Sequence, residues 1–229
     1  MFHTTPTHVH PASIDVDGWA PSAPPGTLEG LVARARSMGA ALPHGVRRAL
    51  DRFRSDPGRA GALLLRGLDL GPLPATPERP APTSGTDLRP ELALLTVACW
   101  LGEPVGYRPE HGGRVVQDIV PTPEGAVRQI STSSRVHLLF HTETAFHPHR
   151  PRYLLLLCLR GDPEAGTTLA SAPELLAHLD ESTVALLRQA RYRTAVDASF
   201  LHGRPGRPGP QQPVLSGSSG NPVLVYDAD

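Results

Sequence analysis

The 229-residue sequence has no lysine, no excess of either charge and no long apolar run. Its 22 basic side chains are all arginine and balance 22 acidic ones, so the formal net charge is zero. Without a basic excess, we expect neither nucleic acid nor an anionic membrane as a partner. No apolar run approaches the ~18 residues that a membrane span needs, and no signal peptide is visible. The composition therefore predicts a soluble, cytoplasmic protein.

The sequence is poor in cysteine and rich in residues that interrupt regular structure. Its two cysteines, Cys99 and Cys158, stand in apolar surroundings, which is typical of buried free thiols. The 22 glycines and 26 prolines are about a fifth of the chain, which indicates a loop-rich fold rather than a helix bundle. The hydrophobic fraction of 39% is enough for one core at this length.

The first half of the chain divides into an arm and the start of a domain. Residues 1–27 are mostly proline, threonine, histidine and serine, so we predict a flexible, unpaired N-terminal arm. A single domain over 28–229 is expected to follow, and apolar spacing defines its first elements. These are helices over 28–41, from Pro43 onward and over 91–101, a buried strand within 61–68, and a proline-rich loop over 71–90.

After residue 102 the pattern changes to short β-prone runs separated by turns. A helical insert over 173–190 interrupts them, and Asp180 is predicted to cap its second helix. Helices followed mostly by strands favour an α+β domain with a sandwich or barrel of antiparallel strands. The predicted strands cover 114–120, 135–140, 153–160, 191–196 and 222–227, and a Gly/Pro-rich loop over 203–220 precedes the last of them.

The most informative residues follow the predicted strand over 135–140, where His141 and Glu143 stand two residues apart. Alternate side chains of a strand point to the same side, as two adjacent ligands of one metal must. One further histidine from a distant strand would complete a two-His, one-carboxylate face for Fe(II), with three positions left open. The same spacing recurs at His178 and Asp180, which we interpret as a helix boundary. On spacing alone, an accidental pair therefore stays an equal alternative.

The residues around this pair form a longer pattern. HTETAFHP (141–148) is followed by an apolar run ending in CLR (158–160), and an acidic-glycine turn then leads into TTLAS (167–171). This order resembles the clavaminate synthase-like group of Fe(II)/2-oxoglutarate oxygenases in the TauD-like superfamily. The group includes asparagine and arginine β-hydroxylases of peptide-antibiotic pathways. A weaker similarity extends over 61–229 and includes VQDIVP (116–121).

The resemblance implies a fold and a reaction. We expect an α+β fold whose core is a double-stranded β-helix, a cupin-like jelly roll, with N-terminal helices and a helical insert. The implied cofactor is Fe(II), with 2-oxoglutarate as cosubstrate and O2 as co-reactant. The implied activity is hydroxylation of an arginine- or asparagine-like amino acid at its β-carbon in secondary metabolism. The sequence predicts nothing about oligomeric state.

The resemblance also assigns roles to particular residues. His141 and Glu143 match the two metal ligands, and Glu143 would in addition orient the substrate amine. Thr167 or Thr168 matches a hydroxyl that helps to hold a carboxylate of 2-oxoglutarate. His147 matches a non-ligand position of the group. Packing or hydrogen bonding is the expected role of both His147 and His149, with metal binding as the alternative. The positions that match substrate-contacting residues are Asp227, Asp229, Gln117, Gln129 and Ser131.

Several of these assignments have plain structural alternatives. Thr167 and Thr168 could also have a purely structural role, because β-branched residues are common in β-strands. Asp227 and Asp229 could form a solvated strand end. As a pair on one face, however, they favour a substrate with a cationic side chain, since a guanidinium can bind both carboxylates. Gln117, Gln129 and Ser131 fit polar loop surface equally well.

The sequence departs from the family pattern at its C-terminal end. The group has a distal metal-binding histidine and a cosubstrate-binding arginine beyond the segment that matches 222–227, and here no histidine follows that segment. We therefore expect a C-terminally truncated domain with an incomplete jelly roll and no amino-acid-dependent succinate formation. The alternatives are a catalytically inactive remnant that binds an amino acid or a partner, and a metal-free structural protein of bicupin type.

Overall fold

A computed structural model of the protein describes residues 10–22, 28–80, 87–206 and 208–227. The elements in chain order are β1 (Ala12–Asp15), α1 (Leu28–Met38), α2 (His44–Ser55), β2 (Leu63–Arg66), α3 (Arg89–Leu101), α4 (Ala172–Leu176), α5 (Glu181–Leu187), α6 (Ala198–Leu201), β3 (Leu215–Ser218) and β4 (Asn221–Leu224). Short 3-10 turns occupy Gly39–Ala41 and His111–Gly113. No helix in the described ranges is long and apolar enough to cross a membrane.

Helix α3 lies at the centre of the N-terminal half. Its residues Leu92 and Leu95 belong to a buried cluster with α1, and Val97 and Leu101 belong to a second cluster with α2. A helix that is apolar nearly all round is expected to be buried on several sides. It begins at Arg89, two residues before the predicted start, because a proline is tolerated in the first turn of a helix.

The prediction of an unpaired arm over 1–27 is wrong at Ala12–Asp15, which form a paired strand. Strand β1 pairs in parallel with β2, with Ala12 opposite Leu63 and Asp15 opposite Arg66. Val16, which directly follows β1, is buried in the cluster that α2 and α3 share. This strand was not predicted from the sequence because the segment is mostly polar and only a few of its residues contribute to the core.

In the second half, most predicted strands are absent as hydrogen-bonded ladders. The described residues of 114–120, 135–140 and 153–160 form no regular strand, and 191–196 contributes a single bridge, between Tyr192 and Gln212. Within the described ranges, the expected antiparallel sandwich is thus represented by one hairpin, β3–β4. Strand β3 itself lies inside the predicted 203–220 loop, which is a second correction.

The segment 153–158 keeps the side-chain alternation of a strand, although no described residue pairs with its backbone. Tyr153 and Leu155 pack against the first apolar cluster, whereas Leu154 and Leu156 are 60% and 65% exposed. Period-two burial is what an extended segment with one covered face shows. The sequence therefore predicted the conformation of this segment, and the missing feature is a neighbouring strand.

Two smaller predictions have mixed outcomes. Asp180 caps α5 as expected, because its carboxylate accepts a 2.8 Å hydrogen bond from the backbone N–H of Thr183. Cys99 is half-buried and burial raises the pKa of its thiol. Cys158 is exposed, contrary to the expectation, because it points away from the core at the end of the 153–158 segment.

Candidate metal and substrate site

His141 is held in an orientation that suits a metal ligand. Its Nδ1 lies 2.9 Å from the carbonyl oxygen of Leu139, so Nδ1 donates this hydrogen bond and the neutral ring carries its lone pair on Nε2. A backbone carbonyl on the other ring nitrogen is the usual device that orients a metal-binding histidine. The side chain is exposed rather than packed among apolar residues. These features fit a ligand that binds through Nε2.

Gln129 supports the backbone on which this orientation depends. Its Oε1 accepts a 3.0 Å hydrogen bond from the N–H of Leu139, and its Nε2 donates a 3.0 Å bond to the carbonyl of His137. The same Leu139 presents its carbonyl to His141. The predicted substrate contact by Gln129 stays a prediction, and the observed contacts give its amide a structural task.

Glu143 lies half-buried two residues further along. Burial is the main cause that raises the pKa of its carboxyl, and the nearby His141 acts in the opposite direction. The carboxylates of Glu110, Asp197 and Asp227 each raise it further. Glu143 therefore interacts electrostatically with three other carboxylates and one imidazole, and net negative charge of this kind favours a bound cation.

Thr142, between the two candidate ligands, is hydrogen-bonded to the segment that carries Asp227. Its N–H donates to the carbonyl of Tyr226 at 2.6 Å, and its Oγ1 accepts from the N–H of Tyr226 at 3.1 Å. The hydroxyl in turn donates to the carbonyl of Leu224 at 3.4 Å. These contacts join residues more than eighty positions apart in the sequence.

The chain turns sharply directly after Glu143. Thr144 is buried and has a left-handed backbone with φ of 47°, which is strained for a β-branched residue. The carbonyl of Ala145 accepts from Arg150 Nη1 at 3.1 Å and from Gln212 Nε2 at 2.8 Å. Arg150 and Gln212 also bond each other at 3.1 Å. A polar pair from distant parts of the chain thus secures the strained turn.

An aromatic group packs beside this turn and explains two histidines. The ring of His147 lies 4.8 Å from that of Tyr107 and 6.0 Å from that of Phe200, measured between centroids. Its Nδ1 accepts from the N–H of His149 at 3.1 Å. Tyr107 donates to the carbonyl of His149 at 2.6 Å. The contacts agree with the packing and hydrogen-bonding role expected of both histidines.

The other predicted site residues are less closely tied to the pair. Asp227 is half-buried and acts electrostatically on Glu143, while Asp229 lies outside the described residues. Thr167 and Thr168 are exposed in an irregular segment, and Gln117 and Ser131 are exposed as well. Their assigned roles stay predictions.

Sequence reasoning missed several residues that shape the site. They are Glu110, Asp197, Tyr107, Arg150 and Gln212. Except for Arg150, which follows His141 in the same stretch, they are distant from His141 in the sequence. Long-range contacts bring them close, so no local signal could have found them. Within the described part of the chain, no group of three or more His, Cys, Asp or Glu side chains is placed to hold a metal ion. The donor set of His141 and Glu143 fits two positions of a divalent iron site.

Comparisons with known proteins agree with this chemistry. The family model for the taurine catabolism dioxygenase TauD, TfdA family matches residues 53–227. L-asparagine oxygenase of Streptomyces coelicolor is 41% identical over 201 residues, which cover 86% of this chain and 59% of the relative. L-lysine 3-hydroxylase of Catenulispora acidiphila is 38% identical over 204 residues, which cover 86% of this chain and 56% of the relative.

A solved structure extends the likeness to three dimensions. The crystal structure of an asparagine oxygenase with Fe(II), 2S,3S-3-hydroxyasparagine and succinate is similar with a TM-score of 0.73 and 38% identity. The match covers 86% of this chain and 62% of that one. This chain thus spans about three-fifths of the length of the relatives that it matches.

Proposed function

Because the chain belongs to the TauD, TfdA dioxygenase family, we propose that it forms the metal- and substrate-binding part of an Fe(II)- and 2-oxoglutarate-dependent amino-acid hydroxylase. The relatives at 41% and 38% identity are named for oxygenation of L-asparagine and hydroxylation of L-lysine, which supports an amino acid as substrate. The names also give no support to an inactive remnant. Iron with 2-oxoglutarate and O2 supplies the oxidising power, and the protein supplies ligands and orientation.

The observation that carries the proposal is the geometry of His141 and Glu143. The carbonyl of Leu139 leaves His141 Nε2 free to bind iron, and burial keeps Glu143 in a site of low dielectric beside it. Glu143 would bind iron through one carboxylate oxygen and orient the substrate amine through the other. Thr167 or Thr168 would bind a carboxylate of 2-oxoglutarate.

The charges around Glu143 support a cationic amino acid. Glu110, Asp197 and Asp227 add negative charge to the environment of Glu143. A guanidinium or a side-chain ammonium is attracted by such a group of carboxylates. We therefore propose L-arginine or L-lysine ahead of L-asparagine, with hydroxylation at the β-carbon. Asp227 and Asp229 would meet the amino acid, with Gln117 and Ser131 at the edge of the pocket.

Binding is the decisive test, because the described residues supply two ligands rather than three. Anaerobic titration should show that Fe(II) enables the wild-type chain to bind 2-oxoglutarate. His141→Ala and Glu143→Ala should abolish this binding, since each leaves a single protein ligand. His178→Ala is the matched control, because His178 stands at the same spacing from an acidic residue on the helical insert and should leave binding unchanged.

The amino-acid preference is tested on the same complex. Calorimetry with L-arginine, L-lysine and L-asparagine, in the presence of Fe(II) and 2-oxoglutarate, should rank the two cationic amino acids first. Equal loss of metal binding in His178→Ala, or no metal-dependent binding of 2-oxoglutarate by the wild type, would overturn the proposed function. A preference for L-asparagine would overturn only the assignment of the substrate class.

A further inference from the structure

The hydroxyl of Thr142 stands between the proposed metal ligands and the proposed substrate-binding segment. It accepts from the N–H of Tyr226 at 3.1 Å and donates to the carbonyl of Leu224 at 3.4 Å, while the backbone N–H of Thr142 reaches the carbonyl of Tyr226 at 2.6 Å. Here the side-chain oxygen takes the place that a backbone carbonyl would hold in a regular ladder. Asp227 is the residue that follows Tyr226.

No regular strand pairing holds these two segments together. Strand β4 ends at Leu224, and residues 139–144 lie outside any regular strand. Beyond the hairpin, Val225 N–H bonds the carbonyl of Val214, which secures that side only. Thr142 joins the His141–Glu143 segment to residues 224–227 through its hydrogen bonds to Tyr226 and Leu224.

We propose that Thr142 is a positioning residue whose hydroxyl keeps the Asp227 segment in register with the His141–Glu143 pair and thereby sets the affinity for the amino acid. This inference rests on the proposed function. The hydroxyl of Thr142 bonds Tyr226 and Leu224, and its effect on the amino acid would pass through Tyr226 to Asp227. A shift of the 224–227 segment would move the Asp227 carboxylate while leaving His141 and Glu143 in place.

The variants Thr142→Val and Thr142→Ser separate this role from simple packing. Valine keeps the branched shape and loses the hydroxyl, which leaves the Tyr226 N–H without its acceptor. Serine keeps the hydroxyl and loses a methyl group. Loss of one such hydrogen bond corresponds to a change in affinity of about tenfold.

Three measurements are compared across the wild type and both variants. They are the affinity for Fe(II), the dissociation constant for L-arginine with Fe(II) and 2-oxoglutarate present, and hydrogen exchange of the Tyr226 amide. In Thr142→Val the dissociation constant should rise about tenfold and the amide should exchange faster, with affinity for Fe(II) within about twofold of the wild type. Thr142→Ser should resemble the wild type in all three.

Other outcomes would reject either the positioning role of Thr142 or the proposed function. Unchanged amino-acid affinity in Thr142→Val, or a parallel loss of affinity for Fe(II), overturns the positioning role. If the wild type binds Fe(II) and 2-oxoglutarate but no amino acid, the proposed function fails, and the inference fails with it. Should Thr142→Val unfold the protein, Thr142→Ala removes the same hydroxyl without adding a branched apolar group, and the same criteria apply.

Discussion

The described residues before Gly102 bury most of their large apolar side chains between α1, α2 and α3, whereas those after it leave many exposed. Among the described residues, Leu64 is the exposed large apolar side chain of the first region. The second region exposes several on extended segments, among them Leu154, Leu156 and Leu169. The candidate site lies wholly in this second region.

The difference follows from how helices and extended segments satisfy the hydrogen-bonding groups of their backbone. A helix closes its hydrogen bonds within itself and needs a neighbour only for its apolar stripe. An extended segment needs a neighbour for its backbone as well as for its side chains. Residues 153–158 pack one face on a core, but no described residue pairs with their backbone and no described layer covers their other face.

The largest effect that the comparison predicts is at Leu92, which is 0% exposed in α3. Leu92→Ala should lower the free energy of unfolding by about 2–5 kcal/mol, because it opens a cavity between α1 and α3. Equilibrium denaturation in guanidinium chloride measures this change. Leu175→Ala, at an exposed leucine of the short helix α4, is the matched control and should have little effect. A loss below about 1 kcal/mol at Leu92 would show that the helical region is loosely packed.

The helices of the first region could be predicted from the sequence because their signals are local. The periodicity of Val46, Leu50 and Phe53 placed α2, and the glycine at 102 marked the end of α3. Strand β1 escaped prediction, since its identity depends on β2, about fifty residues away. In the second region, the predicted strands depended on partners that the described residues do not provide.

The second largest effect is expected at Gln129, whose substitution should weaken the binding of Fe(II). Gln129→Met removes both backbone contacts while preserving side-chain volume, so Leu139 should be held less firmly and His141 oriented less well. Affinity for Fe(II) should fall by up to about tenfold, less than for loss of a direct ligand partner. Anaerobic metal titration measures it, with Gln189→Met at an exposed glutamine as the control. Weaker amino-acid binding with unchanged metal affinity would instead support the predicted substrate contact by Gln129.

Part of the candidate site could also be predicted from the sequence, because part of its signal is local. His141 and Glu143 belong to one continuous motif, so the sequence could place them side by side. The network that supports them depends on distant pairs, such as Thr142 with Tyr226 and Arg150 with Gln212. These pairs form only when the chain folds, and the spacing of residues in the sequence does not predict them.

A smaller effect is expected at Asp180, where a helix of the second region is stabilised locally. Hydrogen bonds from Ser182 and Thr183 lower the pKa of its carboxyl from 3.8 to about 2. Because the folded-state pKa is depressed, its contribution to stability is present above pH 3.8 and is lost as the pH falls towards about 2. Asp180→Ala should therefore lower Tm by a few degrees at pH 7 and by less near pH 2. Thermal unfolding followed by circular dichroism at the two pH values measures the difference. An equal loss at both would assign the effect to the helix rather than to the charge.

The smallest effect is expected at Leu156, and it tests the comparison most directly. Leu156 is 65% exposed on the open face of the 153–158 segment, so Leu156→Ser removes little buried surface. The free energy of unfolding should change by no more than about 0.5 kcal/mol, and aggregation should decrease because an exposed apolar patch is smaller. Denaturation and light scattering measure the two quantities, and Leu155→Ser, on the covered face of the same segment, is the control that should destabilise. A loss at Leu156 as large as that at Leu155 would mean that this face is covered in solution.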